Sequence, residues 1–234
     1  MLQIKIKNQP DDATCGPTSL HAVYKFYGDK ISLKEVISQV AYFDDGGTHA
    51  VLLGYHALKR GYNAKIYTYN LNVFDPTWFK NNEDIIVKLR EQSGYKKDNK
   101  LKIASEAYIC FLESGGKILY DELTPSLLKK YFEKGIPILT GLSATYLYQS
   151  KRELNSENNK SIYDDVRGYP AGHFVVLCGY DEEKKHVVIA DPYINHPFNS
   201  NYYSVKVNRL VNSILLGIVT YDSILLIVEP KNMK

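Results

Sequence analysis

Two apolar runs, residues 173–180 and 186–190, flank one polar break, Asp181-Glu182-Glu183-Lys184-Lys185. Apolar runs of strand length around a short polar turn predict an antiparallel hairpin. A turn centred near Glu183 folds the start of the first run beside the end of the second. His173 and Asp191, far apart in sequence, then become neighbours. Whether they share a face depends on side-chain alternation, which the spacing leaves open.

The remaining pattern is helical first and strand-rich later, which is an α+β arrangement. The N-terminal residues 1–7 alternate apolar and polar and predict a short strand. Pro17 suits the first turn of a helix running to about Tyr27, with Gly28 as its stop. Ser32-Leu33-Lys34-Glu35 is a capping box. Gly46-Gly47-Thr48 predicts another helix start, with Thr48 as N-cap and Gly61 at the end. Residues 62–69 read as a strand, and 82–91 and 101–113 as two helices. A strand over 117–120, a helix opened by Thr124-Pro125 and ended by Gly135, and a strand over 136–140 follow. The polar stretch 149–169 lacks apolar periodicity and reads as a surface loop. Strands over 202–205 and 224–229 enclose a helix over 208–216.

The chain of 234 residues fits one large domain, and 44% hydrophobic residues suffice for a substantial core. A formal net charge of +3 is too mild to indicate nucleic acid as a partner. The tyrosines, 20 in all, are spread without a basic framework. The segment 214–228 is the most apolar, but Thr220, Tyr221, Asp222 and Ser223 interrupt it, so no membrane span is predicted. No secretory h-region follows the N-terminus, and a cytoplasmic location is the default expectation. Three cysteines without a CxxC pair argue against a disulfide framework or zinc knuckle. Cys110 and Cys178 lie in apolar runs and read as small buried hydrophobes.

Cys15 has a different setting, Thr14-Cys15-Gly16-Pro17-Thr18-Ser19-Leu20, where an irregular stretch becomes a helix. A helix start supplies partial positive charge and free N–H groups, which favour a thiolate. Gly16 would allow a substrate backbone close to the thiol. A lone cysteine is more often buried and inert, so the context has to carry the argument. Among the six histidines, His21 and His56 fall within helices, His49 at a helix start, His186 at a strand start and His196 in a turn. His173 stands at the mouth of an apolar strand, as a candidate base or as a ring satisfied by a carbonyl. Asp191 is a candidate to orient that base, and Asp-Pro is also a common turn opener. Gln9, six residues before the cysteine, offers an amide donor for an oxyanion, with the Cys15 N–H as the second donor.

In their order, Gln9-Pro10-Asp11-Asp12-Ala13-Thr14-Cys15-Gly16-Pro17-Thr18-Ser19-Leu20, Lys134-Gly135-Ile136-Pro137-Ile138-Leu139, Gly172-His173-Phe174-Val175-Val176-Leu177-Cys178-Gly179-Tyr180-Asp181 and Ala190-Asp191-Pro192 resemble the papain-like cysteine peptidases. Within these the chain is most similar to the double-glycine leader peptidases that process bacteriocin precursors, and to their stand-alone relatives. The resemblance implies one papain-like domain over 1–234. A helical lobe (about 10–115) would carry the nucleophile, packed on an antiparallel sheet lobe (about 116–230). It assigns Cys15 as nucleophile, His173 as base and acid, Asp191 as orienter and Gln9 as oxyanion-hole residue. The implied activity is hydrolysis of a peptide or related amide bond in a peptide or protein substrate, without cofactor or metal. An acyltransferase with the same site and a peptide-binding module without turnover are the alternatives. A mononuclear zinc site on Cys15, His173 and Asp191 lacks paired-ligand spacing. Thr14 departs from the acidic residue that often precedes the cysteine in that family. The chain also shows no GxxxxGK[ST] loop.

Overall fold

The computed structural model describes residues 1–42, 47–155 and 161–231. The first half runs α1 (Cys15–Phe26), α2 (Leu33–Gln39), α3 (Ala50–Lys59), β1 (Tyr62–Thr68), α4 (Pro76–Lys80), α5 (Ile85–Tyr95), α6 (Asn99–Glu113) and β2 (Lys117–Leu119). The second runs α7 (Pro125–Glu133), β3 (Ile138–Ser143), α8 (Ala144–Tyr148), β4 (Glu153–Asn155), β5 (Ser161–Tyr163), β6 (Gly172–Asp181), β7 (His186–Ala190), β8 (Tyr202–Lys206), α9 (Val207–Leu216) and β9 (Ile224–Pro230).

Local chemistry sets most helix ends. Ser32 Oγ accepts from Glu35 N–H at 3.2 Å while Glu35 Oε2 accepts from Ser32 N–H at 2.8 Å, the reciprocal box expected from the sequence. Thr124 caps α7, with Pro125 in its first turn. Gly28 and Gly135 follow α1 and α7 with φ of 79° and 71°, a region that side chains with a Cβ rarely enter.

Seven strands form one sheet in the order β2-β1-β9-β3-β6-β7-β8, antiparallel except for the β1–β2 pair. Alternation divides its side chains between two cores. Leu139, Phe174, Val176, Leu226 and Val228 join the core that contains α1, α3 and α6. Ile138, Leu142, Val175, Leu177, Leu225 and Ile227 join the one that contains α7, α8 and α9. Helices therefore cover both sheet faces, and the central strands are apolar on both sides. That is why residues 174–178 and 224–228 read as unbroken apolar runs.

The structure departs from the sequence expectations at several places, the unforeseen helical turn α8 among them. Residues 1–7 form no strand and stay outside the ladder, although β3 leaves the edge of β6 unpaired beyond Leu177. The segment attaches instead through Leu2 N–H to the Cys178 carbonyl (2.7 Å). Helix α3 is capped at His49, not Thr48, whose hydroxyl donates to the Ala41 carbonyl at 2.7 Å. Gly46 of the predicted opener lies outside the described residues. An unexpected turn of helix, α4, forms where Asp75 accepts from Thr77 N–H just before Pro76. Finally, the polar stretch 149–169 is not wholly loop. It contains β4 and β5, and Arg152 ties its far end by donating to the Asp165 and Val166 carbonyls. Residues 156–160 of that stretch lie outside the described residues.

Gly141 of β3 is closely approached by the backbone of Asp222, just before β9. A Cβ there would stand 2.5 Å from the Asp222 carbonyl oxygen and 3.0 Å from Phe174 Cε1. Backbone cannot yield as a flexible side chain would, so Gly141→Ala is predicted to cost about 1–3 kcal/mol of stability, read by urea denaturation. An unchanged midpoint would show that the β3–Asp222 crossing is loose.

Candidate active site

Cys15 is the first residue of α1 and is half-buried. No side chain caps this helix: the Thr14 hydroxyl turns back to the Asp11 carbonyl at 3.2 Å. The leading N–H groups and their partial positive charge are therefore left facing the thiol. From Gly16 to Tyr24 every residue of α1 is buried, so the helix runs through the interior. Ser19 Oγ donates to the Phe174 carbonyl at 3.1 Å, which fixes α1 against β6 beside His173. Gly16 does not face a substrate path. A Cβ there would lie 2.5 Å from Thr48 Cγ2 and 3.3 Å from a Phe174 ring carbon, so its small size serves packing within the protein.

His173 and Asp191 meet as the hairpin predicted. His173 Nε2 lies 2.8 Å from Asp191 Oδ1, with both side chains buried. A bulge decides that they share a face. Near the turn Gly179 faces Val188, but past Cys178 the register shifts and Val176 faces Ala190. One step further Val175 stands level with Asp191, and His173, two residues on, points the same way. Without the shift Val176 would stand level with Asp191, and His173 would point to the opposite side of the sheet.

Asp191 is fully buried, and an ionised carboxylate there requires donors. Oδ1 takes His173 and the Tyr193 N–H (2.9 Å), and Oδ2 takes the hydroxyls of Tyr148 (2.8 Å) and Tyr203 (2.6 Å). Asn201 Nδ2 holds the Asp191 carbonyl at 2.7 Å. Burial pushes the Asp191 carboxyl upward, but the charge and hydrogen bond of His173, with Tyr203 and the Tyr193 N–H, outweigh it and leave it below the usual range. Burial also pushes His173 down. The Asp191 charge and hydrogen bond, followed by a hydrogen bond and charge interaction with Cys15, reverse this and raise it. With Nε2 committed to Asp191, Nδ1 is the ring nitrogen that remains for the thiol.

Gln9 is tied to the same end of the molecule. Its N–H donates to the Pro192 carbonyl at 2.9 Å, next to Asp191. Its side-chain Nε2 donates to the Asp11 carbonyl at 2.8 Å, while its Oε1 is buried without a hydrogen bond among the described residues.

The other histidines are elsewhere or differently used. His56 is bonded to the Tyr24 hydroxyl (2.8 Å) and Gln39 Oε1 (3.1 Å), and His186 stands 3.4 Å from Ser204 Oγ. His21 is buried. Sequence reasoning placed His196 in a turn, yet its Nε2 sits 3.9 Å from Asp191 Oδ2 in the interior. It also did not single out Tyr148, Tyr193 or Tyr203. Tyr203 carried no signal in the sequence: only its pairing in β8 with Ile189 of β7 shows that it shares the face of Asp191. No cluster of three or more His, Cys, Asp or Glu side chains suited to a metal occurs among the described residues.

The sequence matches the Peptidase_C39 like family over residues 1–212. The chain belongs to this family. Among solved structures, one assigned as a C39-like peptidase from Bacillus anthracis superposes with a TM-score of 0.51 at 15% identity, covering 97% of this chain and 95% of that one. A double-glycine motif protease from an AMS/PCAT transporter, in complex with the leader peptide, gives 0.45 at 16% identity, over 98% and 94%. The peptidase domain of Streptococcus ComA, a bifunctional ABC transporter involved in quorum sensing, gives 0.44 at 15% identity, over 98% and 100%. No curated protein matches the sequence at a significant level. The mixed fold with its mostly antiparallel sheet is that of the C39 papain-like peptidases. No described helix is long and apolar enough to cross a membrane.

The two shifts set a pH window for stability. His173, raised when folded, contributes fully below its unfolded value near 6.5 and loses that contribution as pH rises through its folded value. Asp191, lowered when folded, contributes fully above its unfolded value near 3.8 and loses it as pH falls through its folded value. The stability deficit of Asp191→Asn, read by denaturant titration, is therefore predicted to be greatest between these values and to shrink on either side. A deficit independent of pH would mean that the pair is not ionised.

Proposed function

We propose that this protein is a cysteine peptidase that cleaves a peptide bond through an acyl-enzyme. The observation that carries the reading is the 2.8 Å bond from His173 Nε2 to Asp191, with Cys15 interacting with the same ring from the start of α1. In this reading His173 takes the Cys15 proton on Nδ1, giving a thiolate–imidazolium pair. The thiolate attacks the substrate carbonyl carbon. The Cys15 N–H and the second N–H of Gln9 Nε2, beyond the one given to Asp11, steady the oxyanion. The tetrahedral intermediate collapses as His173 protonates the leaving amine. A water molecule, deprotonated by His173, then attacks the thioester, and the acid product leaves with the thiol restored. Asp191 keeps the ring in one tautomer and favours its charged form. The residues require neither metal nor cofactor for these steps. An acyltransferase would form the same thioester and differ only in the acceptor, so product analysis with an added amine separates the two.

Cys15→Ala is predicted to abolish cleavage while leaving the unfolding midpoint nearly unchanged. A short iodoacetamide pulse at about pH 6, where an ordinary thiol is almost wholly protonated, is predicted to label Cys15 in the wild type and not in His173→Ala. Equal, slow labelling of both would end the activated-pair reading and favour a binding module. Gln9→Ala is predicted to lower kcat by roughly 10²–10³-fold with KM little changed, as loss of an oxyanion donor does.

A further inference from the structure

The carboxylate of Asp191 is held by more than the histidine it faces. Two tyrosine hydroxyls, from α8 and from β8, converge on Oδ2 at 2.8 and 2.6 Å. That oxygen makes no bond to His173. A carboxylate needs only Oδ1 to orient an imidazole, so two donors on the far oxygen serve a second purpose. They fill the lone pairs of Oδ2 and fix the plane of the carboxylate, and hence the direction in which Oδ1 accepts from His173.

The tyrosine rings are themselves braced. His196, 1% exposed, stacks on Tyr148 (centroids 5.0 Å apart, 22° between planes) and meets Tyr203 edge-on at 4.8 Å. Phe198 stacks on the outer side of Tyr203 at 4.1 Å and 14°. His196 Nδ1 accepts from the Phe198 N–H at 3.1 Å, which puts its proton on Nε2. That N–H stands 3.9 Å from Oδ2, and Nε2 has no hydrogen bond among the described residues. His196 thus acts as a wedge between the two rings, not as a primary donor.

We propose that Tyr148 and Tyr203 form a two-hydroxyl clamp that fixes Asp191, and through it the His173 ring, and that both are positioning residues for chemistry at Cys15. The inference rests on the reading of Cys15, His173 and Asp191 as the reacting set. The titratable groups around the carboxylate are His173 from β6, Cys15 beyond it on α1, Tyr148 from α8, Tyr203 from β8, and Tyr193 and His196 from the loop between β7 and β8. Burial, then the Asp191 charge, push both phenols upward, so both remain protonated donors across the working pH range. Removing either leaves Asp191 more basic and free to turn. The two effects have separable signatures, since the first moves a titration and the second slows Cys15.

The test uses the full chain as wild type, Tyr148→Phe, Tyr203→Phe and His173→Ala. Proton NMR follows the low-field N–H of His173 that is bonded to Asp191, and iodoacetamide labelling of Cys15 is timed from about pH 4 to about pH 8. In each tyrosine variant the acid-side loss of that resonance is expected to move up by about one pH unit. Labelling at about pH 6 is expected to slow several-fold, with the circular dichroism spectrum unchanged. A packing role alone would leave the titration where it is. Resonance and labelling profiles that superpose on wild type in both variants overturn the clamp. If wild type labels no faster than His173→Ala, the peptidase reading itself fails, and the NMR titration still reports on the clamp. Should Tyr203→Phe fail to fold, Tyr148→Phe, which reaches the same oxygen, carries the same expectation.

Discussion

A carboxylate with no exposure to water is the demand that the second half of this chain is arranged to meet. Left unpaired, the charge of Asp191 would be costly to bury. Its four donors come from separate parts of the sequence: β6, α8, β8 and the backbone just after Asp191 itself. Each element must end at the right height for the set to close. The sheet supplies this common height, since β6, β7 and β8 are adjacent in it and α8 follows directly from β3 on the other side of β6. Polar groups at the centre thus depend on the apolar packing around them for their aim.

The thiol is brought to this centre by a different means. Helix α1 is buried along most of its length and meets β6 closely enough that a Cβ on Gly16 would lie 3.3 Å from the Phe174 ring and Ser19 bonds to the Phe174 carbonyl. The contact lies one residue from His173, so the helix that carries Cys15 and the strand that carries His173 are positioned by the same few atoms. The helix start carries no capping side chain, which would otherwise have occupied its first N–H groups beside Cys15.

Much of this was legible in the sequence because it rests on local rules. The hairpin of residues 173–190, the capping box at Ser32 and the helix opened by Thr124-Pro125 follow from periodicity and turn chemistry that act over a few residues. The closeness of His173 and Asp191 followed from the turn between them. Their common face did not, because it hangs on one extra residue at Cys178, and the apolar letters of that strand carry no mark of a bulge. Tyr148, Tyr203 and His196 were missed for a related reason. Tyrosines and histidines at strand and helix ends usually pack or face solvent; the register of β7 with β8 places Tyr203 by the carboxylate, while Tyr148 on α8 and His196 in a loop reach it through tertiary packing that no local pattern encodes. The strand expected over residues 1–7 failed because local alternation says nothing of whether a segment pairs with a sheet edge.

That N-terminal segment carries an implication for how the protein tolerates change in length. It is pinned near one end by Leu2 to the carbonyl of the bulge and at the other by Gln9 to the carbonyl after Asp191. Between them the Tyr202 hydroxyl bridges Ile4 and Ile6 at 3.0 Å each. The stretch behaves as a ruler laid between two fixed marks, with Cys15 a few residues beyond the second. An added or deleted residue would be passed on to the approach of the thiol, because the anchors leave little slack to absorb it. The 149–169 segment is held differently: its described flanks are cross-linked to each other through Arg152, not to the carboxylate. Two segments at the edge of the fold thus differ in kind: one is held to a length, with Ile4 sunk in the core, and the other is tied to itself through Arg152.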